Sequence, residues 1–548
     1  MAPSLPKGNS TTWLDTATEH TSAIRSGCLK ANPEQANTKQ ANKDCRSKND
    51  KTVTLQAIKM YISTMKILLF PFVLFLAFAS GAYGQTSGAL QLHPQNPHYF
   101  LYRQKPLLIV GSGEHYGAVI NLDFDYKKYL QTIADDSLNT TRVFTGAYVE
   151  KHGDFGIGKN TLAPAEGSLL LPWQRSTTPG YFLGGNKFDL TKWDEAYFTR
   201  LKDFLSEAQR HDVIVEITLF SSHYASGWKY SPFNPENNIN QTAPVAAGLV
   251  NTLQNGNILA HQERYVRKIV REINGFDNVY FEIQNEPWAD QTDTVLVHNE
   301  FGPADDWRTT IQVVSALSNS WQRTVSQWIK DEEKTLPKKH LISQNISNYY
   351  YPVTDADPNV SIFNFHYAMP AAVKENYYLN RVIGFNETGF AGRSDITYRR
   401  QAWRFLMAGG GLFNHLDYSF STGSEDGSDT SYKAPGGGSP SLRKEFAVLK
   451  KLFDRLQFIE LHPDHSVVTA SPGAFAQALS NSRTGWIIYY EPKSTTQQPL
   501  LLNLPAGTYR AEWIDVHTGA IIHSETITKG RLRAPKGGTD KVVVIKKR

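Results

Sequence analysis

Eight short, near-continuous apolar runs punctuate the middle of the chain, and each reads as a strand covered on both faces. They are Pro106–Ser112, Thr141–Thr145, Val213–Phe220, Val279–Gln284, His340–Gln344, Val360–Phe365, Val382–Phe385 and Gly411–Leu416. Helix-period stretches separate several of them: Asp194–Gln209, Gln262–Ile273, Thr309–Glu333 and Tyr398–Ala408, with Ser441–Phe458 after the last run. The link between the fifth and sixth runs is short and rich in Pro and Asp, so one helix of the series is expected to be degenerate. Eight β/α alternations over roughly 320 residues predict an α/β protein built as a TIM (β/α)8 barrel. An open doubly wound sheet is the alternative arrangement.

After His462 the pattern switches to short alternating strands with turn residues between them, the clearest being Thr484–Tyr490, Pro499–Asn503, Thr508–Ile514 and Lys541–Lys546. Roughly seven strands in this stretch predict a small C-terminal antiparallel β-sandwich. The organisation expected is a barrel over 85–460 and an accessory sandwich over 461–548.

The N-terminal pattern is different again. Residues 1–64 are mostly polar, and 1–59 show no apolar period. Met65-Lys66 then opens a 13-residue apolar run, Ile67–Ala79, closed by small residues at Ala82 and Gly84. A basic start, a short apolar core and small residues before a cleavage point read as a secretory signal peptide over 65–84, cut before Gln85. The run is short for a membrane span of roughly 20 residues, although a signal anchor is the other reading. On the signal-peptide reading, translation starts at Met65 or Met60, residues 1–59 are an over-extended reading frame, and the product is secreted or periplasmic. It makes no stable membrane insertion after cleavage.

Composition changes this picture in two places. The net charge of +5 comes from the leader: 47 of the 57 basic and 47 of the 52 acidic residues lie beyond residue 84. The remainder is electrically balanced and carries no footprint for nucleic acid. Both cysteines, Cys28 and Cys45, also lie in the leader, which excludes a disulfide framework, a thiolate metal site and a Cys nucleophile from the rest. Aromatics at 12% suit core filling and also sites that stack on flat rings.

Chemistry in a TIM barrel sits at the C-terminal ends of its strands. The fourth run ends Gln284-Asn285-Glu286-Pro287-Trp288 and the seventh ends Phe385-Asn386-Glu387-Thr388. Two carboxylates at such ends, brought to about 5 Å, are what retaining glycoside hydrolysis uses. Asn-Glu-Pro after strand four with Glu after strand seven resembles the large clan of retaining (β/α)8 glycoside hydrolases, cellulase-type family five members in particular, over about residues 95–440. The resemblance implies Glu286 as acid/base and Glu387 as nucleophile, with no metal or organic cofactor and a carbohydrate as substrate. It further implies that Asn285 bonds the sugar 2-hydroxyl and that Arg142 supports the nucleophile. His366 and Tyr367 match the His/Tyr found after strand six, although family five more often separates the two by one residue. The clan usually places a Trp platform after strand eight; here Tyr418 or Trp288 stands in.

Each of these residues has a structural reading as well. Arg142 can be a barrel-core ion pair, with Glu216 as its partner, and His366 and Tyr367 can be packing residues. His115, in Glu114-His115-Tyr116, either lines the non-reducing side of the cleft or is structural. His223, Tyr224 and Trp228 can form a subsite wall. Gly153–Asn160 nearly matches a P-loop but lacks the Ser/Thr and the following helix, and Ser424–Asp429 lacks calcium-loop spacing and reads as a solvated loop. The C-terminal sandwich is similar to a small β module appended to relatives of the clan and named for collagen binding; packing against the barrel is its simpler role. The reading overall is a monomeric, retaining O-glycoside hydrolase, with a non-catalytic carbohydrate-binding protein or a transglycosylase as alternatives.

Overall fold

A computed structural model describes residues 88–224, 226–298, 306–493 and 499–548. The extension 1–64, the segment 65–84 and both cysteines lie outside the described residues.

The eight central strands are β1 (Ile109–Gly113), β2 (Thr140–Phe144), β3 (Ile214–Ser221) and β4 (Val279–Asn285), then β5 (Ile342–Asn348), β6 (Ile362–His366), β7 (Val382–Glu387) and β8 (Leu412–Leu416). All their residues are buried, which explains their unbroken apolar reading. They pair in parallel in the order β1–β8–β7–β6–β5–β4–β3–β2, a nearly closed TIM barrel rather than an open doubly wound sheet. The seam between β1 and β2 is bridged by one side chain. Asn139 Nδ2 donates to the Leu108 carbonyl at 2.8 Å, and Oδ1 accepts from the Val110 amide at 2.8 Å.

Seven helices follow the strands: α1 (Tyr126–Asp135), α2 (Glu195–Arg210), α3 (Ile258–Ile273), α4 (Ala316–Glu333), α5 (Pro370–Asn376), α6 (Asp395–Met407) and α7 (Pro440–Arg455). Their starts follow capping chemistry: Asp125, Asp194, Ser315 and Ser439 each accept an amide of the first turn. No helix lies between β5 and β6, where the sequence predicts a degenerate one.

Three expectations need correction. Thr309–Glu333 is not one helix. Its β-branched start forms a strand, Thr310–Val314, which pairs with Thr292–Val297 and, at Val313, with β5. The helix begins only after Ser315, because β-branched residues favour the pleated surface. Pro106–Ser112 also divides: Lys105–Leu107 joins Gln91–Leu92 and Phe100–Tyr102 in a small antiparallel sheet. Leu90, Phe100 and Tyr102 of that region pack with Ile109, Ile214, Tyr280, Ile362, Val382 and Leu412 at the strand starts and close the barrel bottom. Finally, Ser424–Asp429 is not a fully solvated loop. Glu425 and Asp429 are buried, with Asp429 paired to Lys159 and Asp426 to Lys128.

The C-terminal region is a six-stranded antiparallel sheet facing a three-stranded one. Strand alternation sorts its central residues. Trp486, Ile488 and Tyr490 face the smaller sheet, whereas Ile487 and Tyr489 join the barrel core. Tyr489 stacks on Trp403 of α6 with ring centroids 5.6 Å apart and planes 2° apart. The sandwich therefore packs on the outside of α6 and α7.

Candidate active site

Glu286 and Glu387 meet at the C-terminal mouth of the barrel. Oxygens of the two carboxylates and a nitrogen of His366 lie within 4.8 Å of one another. β4 and β7 deliver them there, and Pro287 stops β4 by removing a ladder donor just beyond Glu286.

Glu387 is clamped from one side. Its Oε2 accepts from Arg142 Nη1 at 2.9 Å and from the Tyr116 hydroxyl at 2.9 Å. Its Oε1 carries weaker contacts, the Tyr367 hydroxyl at 3.3 Å and His366 Nδ1 at 3.5 Å. One oxygen is thus clamped and the other faces the opening. Glu286 accepts from His366 Nδ1 at 2.8 Å and from the Tyr224 hydroxyl at 2.8 Å. Burial pushes its carboxyl up, but His366 first and Tyr224 second outweigh this and hold it below the usual range.

Arg142 is the central cation. Fully buried in mid-β2, it donates to Glu387, to Glu282, to Thr218 Oγ1 at 3.0 Å and to Asn285 Oδ1 at 2.8 Å. Glu216 Oε2 is 3.9 Å away, a looser partner than the sequence suggests. The close partner is Glu282, which also accepts from Asn345 Nδ2 at 2.7 Å and from Asn386. Glu216 and Glu282 form a coupled buried pair. Burial and the Glu282 charge push Glu216 well above the ordinary carboxylate range. Glu282, despite burial, is held below that range, Arg142 being the main counterweight. Glu216 is therefore the protonated partner.

Sequence reasoning missed Glu282, and the signal was available. A carboxylate inside an otherwise apolar strand that is covered on both faces needs a buried partner, and Arg142, in the apolar run Thr141–Thr145, is a cation of the same kind. It also left Tyr224 as a subsite wall, whereas its hydroxyl touches the proposed acid/base and Asn285 Nδ2, the latter at 2.7 Å. Tyr116, Phe155, Tyr224, Glu286 and Tyr367 all sit on left-handed backbone, with φ between 45° and 60°. Such backbone costs of order 1–3 kcal/mol per residue and collects at functional sites.

The opening has two compartments. A cleft of about 310 Å³ is lined by Glu286, Trp288, Trp307, Gln312, Tyr367 and Phe390. A smaller pit of about 40 Å³ contains Glu387, Glu286, Asn285 and His115. Trp288 is almost fully buried and stands edge-on to His366 at 5.4 Å. Tyr418 is also buried, packed edge-on to His115 at 6.4 Å. Neither presents an open ring face. The half-buried Trp307, 4.8 Å from Tyr367, supplies the broad aromatic surface of the cleft. Of the wall candidates, His223 is buried and neutral, its pKa pushed down to about 3 by burial. Glu114 accepts the Gly117 and Ala118 amides and serves its own loop. Gly153–Asn160 forms a loop whose Phe155 packs edge-on against Tyr224 at 5.1 Å.

No protein-family profile and no curated protein sequence matches the chain. Solved structures do. A candidate glycoside hydrolase of Bacteroides vulgatus aligns with a TM-score of 0.58 at 12% identity, over 85% of this chain and 84% of that one. A family 5 glycoside hydrolase of the same organism aligns at 0.54 and 13%, over 84% and 94%. A third structure, described as a glycoside hydrolase, aligns at 0.53 and 14%, over 84% and 97%. At this identity the likeness establishes the fold: a TIM barrel carrying a C-terminal β domain.

Proposed function

We propose that this chain is a retaining O-glycoside hydrolase. The observation that carries the reading is the carboxylate pair at the ends of β4 and β7, with oxygens within 4.8 Å and one member clamped by a buried arginine. Retaining enzymes hold the pair at about 5–5.5 Å and inverting ones at about 6.5–9.5 Å, to admit a water between them. The names carried by the structurally similar proteins agree with the reading.

The path is a double displacement. The free Glu387 oxygen attacks C1 of the sugar, the C1–O bond to the leaving group breaks, and Glu286 gives that oxygen its proton. Water then attacks C1, loses its proton to Glu286, and releases Glu387. Arg142 and Tyr116 hold the nucleophile in orientation, and Asn285, at the pit wall, bonds the 2-hydroxyl. Glu286 must be protonated when substrate is bound, against its depressed pKa in the free site. A sugar seated over both groups excludes water from Glu286 and leaves the Glu387 charge beside it, and both effects favour the protonated form. The sequence adds the rest: a signal peptide over 65–84, hence secretion, a catalytic unit over 85–460 and an accessory sandwich over 461–548, acting as a monomer.

The test uses residues 85–548 on a broad plant, algal and microbial glycan panel, with Glu387→Gln in parallel. A 2-deoxy-2-fluoro glycoside of the sugar released should trap Glu387 as a covalent adduct visible by peptide mass. Equal release by wild type and variant would refute the assignment. Glycan binding without turnover would favour a carbohydrate-binding protein.

A further inference from the structure

The two compartments differ in what they touch. Glu286 lines both, whereas Glu387 lines only the pit. On the glycosidase reading, on which this inference rests, the sugar attacked at C1 must sit over Glu387, and the leaving group must lie on the far side of Glu286. The pit therefore takes the glycone and the cleft takes the leaving group.

The pit is blind. Its outer wall is His115, Tyr148, Glu150 and Leu416, all at most 8% exposed. A second layer of chain backs that wall. The Glu150 amide donates to the Leu162 carbonyl at 3.0 Å, and Asn160 Nδ2 donates to the Glu150 carboxylate. Gly117 lies so close to Thr161 that a Cβ there would fall 2.1 Å from the Thr161 carbonyl oxygen. Among the described residues, this wall leaves a pit of about 40 Å³, too small to pass a chain of sugars beyond it.

The end wall is also built from polar groups. Glu150 is 3% exposed, accepts from the Tyr148 hydroxyl at 3.2 Å and stands 3.5 Å from His115 Nε2. His115 is 8% exposed and its Nδ1 is buried without a partner. A buried carboxylate and an imidazole at the end of the recess are polar partners for sugar hydroxyls.

We infer that the enzyme is exo-acting: it binds a single terminal sugar, whose free hydroxyls end on Glu150 and His115, and releases it from the non-reducing end. The substrate class is then a glycoside or oligosaccharide with an uncapped terminal residue and an extended or aromatic leaving group.

The experiment uses residues 85–548 with 4-nitrophenyl α- and β-glycosides of glucose, galactose, mannose and xylose. The hexosides are run again with O4 and O6 tied as a benzylidene acetal, alongside oligosaccharides labelled at the reducing end. Turnover of an uncapped monoglycoside, resistance of its capped form and stepwise loss of single sugars are expected. Cleavage of capped substrates or of internal bonds overturns exo action while leaving the glycosidase reading intact. Inertness toward every substrate, with no adduct on Glu387, overturns the underlying reading and this inference with it. For the wall, Glu150→Gln keeps the shape and should lower kcat/KM roughly 10²-fold on the active glycoside, with its melting temperature retained. Monodeoxy glycosides supply the second readout. Removing the hydroxyl that meets Glu150 should cost wild type far more than the variant, and equal costs in both would remove Glu150 from recognition.

Discussion

Two buried arginines organise two regions of the molecule, and they do opposite things. Arg399, on α6, donates to Asp540 at 2.7 Å and to Glu445 at 3.2 Å, and a Tyr489 hydroxyl completes Asp540 at 2.9 Å. Nearby, Arg404 makes a forked contact with Glu491 at 2.8 and 2.9 Å. These pairs join barrel to sandwich. Arg142 has a similar set of carboxylates, but a cavity opens on one of them, Glu387. That carboxylate keeps one weakly bonded oxygen, and its neighbour Glu286 sits on strained backbone. The composition of the two clusters is nearly the same. Access to a cavity, and one acceptor left incompletely paired, separate the proposed reactive centre from a rivet.

That contrast can be broken at several points. The largest effect is expected from Arg142→Lys, which keeps a charge but loses the fork spanning Glu387, Glu282 and Asn285. Its kcat/KM should fall roughly 10³-fold on the substrate the glycan panel identifies. Arg399→Met should leave kcat unchanged below the unfolding temperature but lower stability by about 3–5 kcal/mol in denaturant titrations, since it strands Asp540 and Glu445. A triple replacement that also neutralises those two carboxylates with apolar residues should recover much of the loss.

Smaller effects sharpen the barrel side. Glu282→Gln removes one of the two close carboxylate partners of the buried Arg142 and should cost about 3 kcal/mol, whereas Glu216→Gln replaces a group already protonated and should cost under about 1 kcal/mol. Equal costs in chemical unfolding would reverse the protonation assignment. The pH dependences should also run in opposite directions. Burial alone would raise Asp540, but Arg399 holds it below its ordinary value. It therefore contributes stability above about pH 3.9 that is lost as pH falls through its folded value. Glu216 is raised by burial and by Glu282. It contributes below about pH 4.3, and that stability is lost as pH rises through its folded value. Melting temperatures of wild type, Asp540→Asn and Glu216→Gln across a pH series should show the first variant insensitive on the acid limb and the second on the alkaline limb.

The barrel and the two carboxylates were legible because parallel strands buried on both faces leave apolar runs, and the residue just beyond such a run stands at the barrel mouth. Glu286, with Pro287 behind it, is the clearest case. What was illegible depends on which strands become neighbours. The Arg142–Glu282 contact spans 140 positions. Nothing local to β2 says that its partner is Glu282 rather than Glu216, which β3 places directly opposite Arg142. Trp307 was hidden for a different reason. The hairpin that carries it runs into α4 without a Gly or Pro at the junction, and Ser315 alone marks the change from period 2 to period 3.6. Glu150 lies in a long loop after β2 with no periodicity of its own.

The seam at Asn139 bears on how the chain assembles. β1 pairs not with β2, its neighbour in sequence, but with β8, some 300 positions later. Until β8 arrives, β1 and the remaining strands present two unsatisfied sheet edges, the condition in which chains stick to one another. Late, long-range closure of this kind is slow. Asn139 can tie the edges of β1 and β2 together before closure, because its partners, Leu108 and Val110, lie only about thirty positions away. Replacing Asn139 should therefore show first as aggregation during refolding and reduced soluble yield, before any defect in the finished barrel.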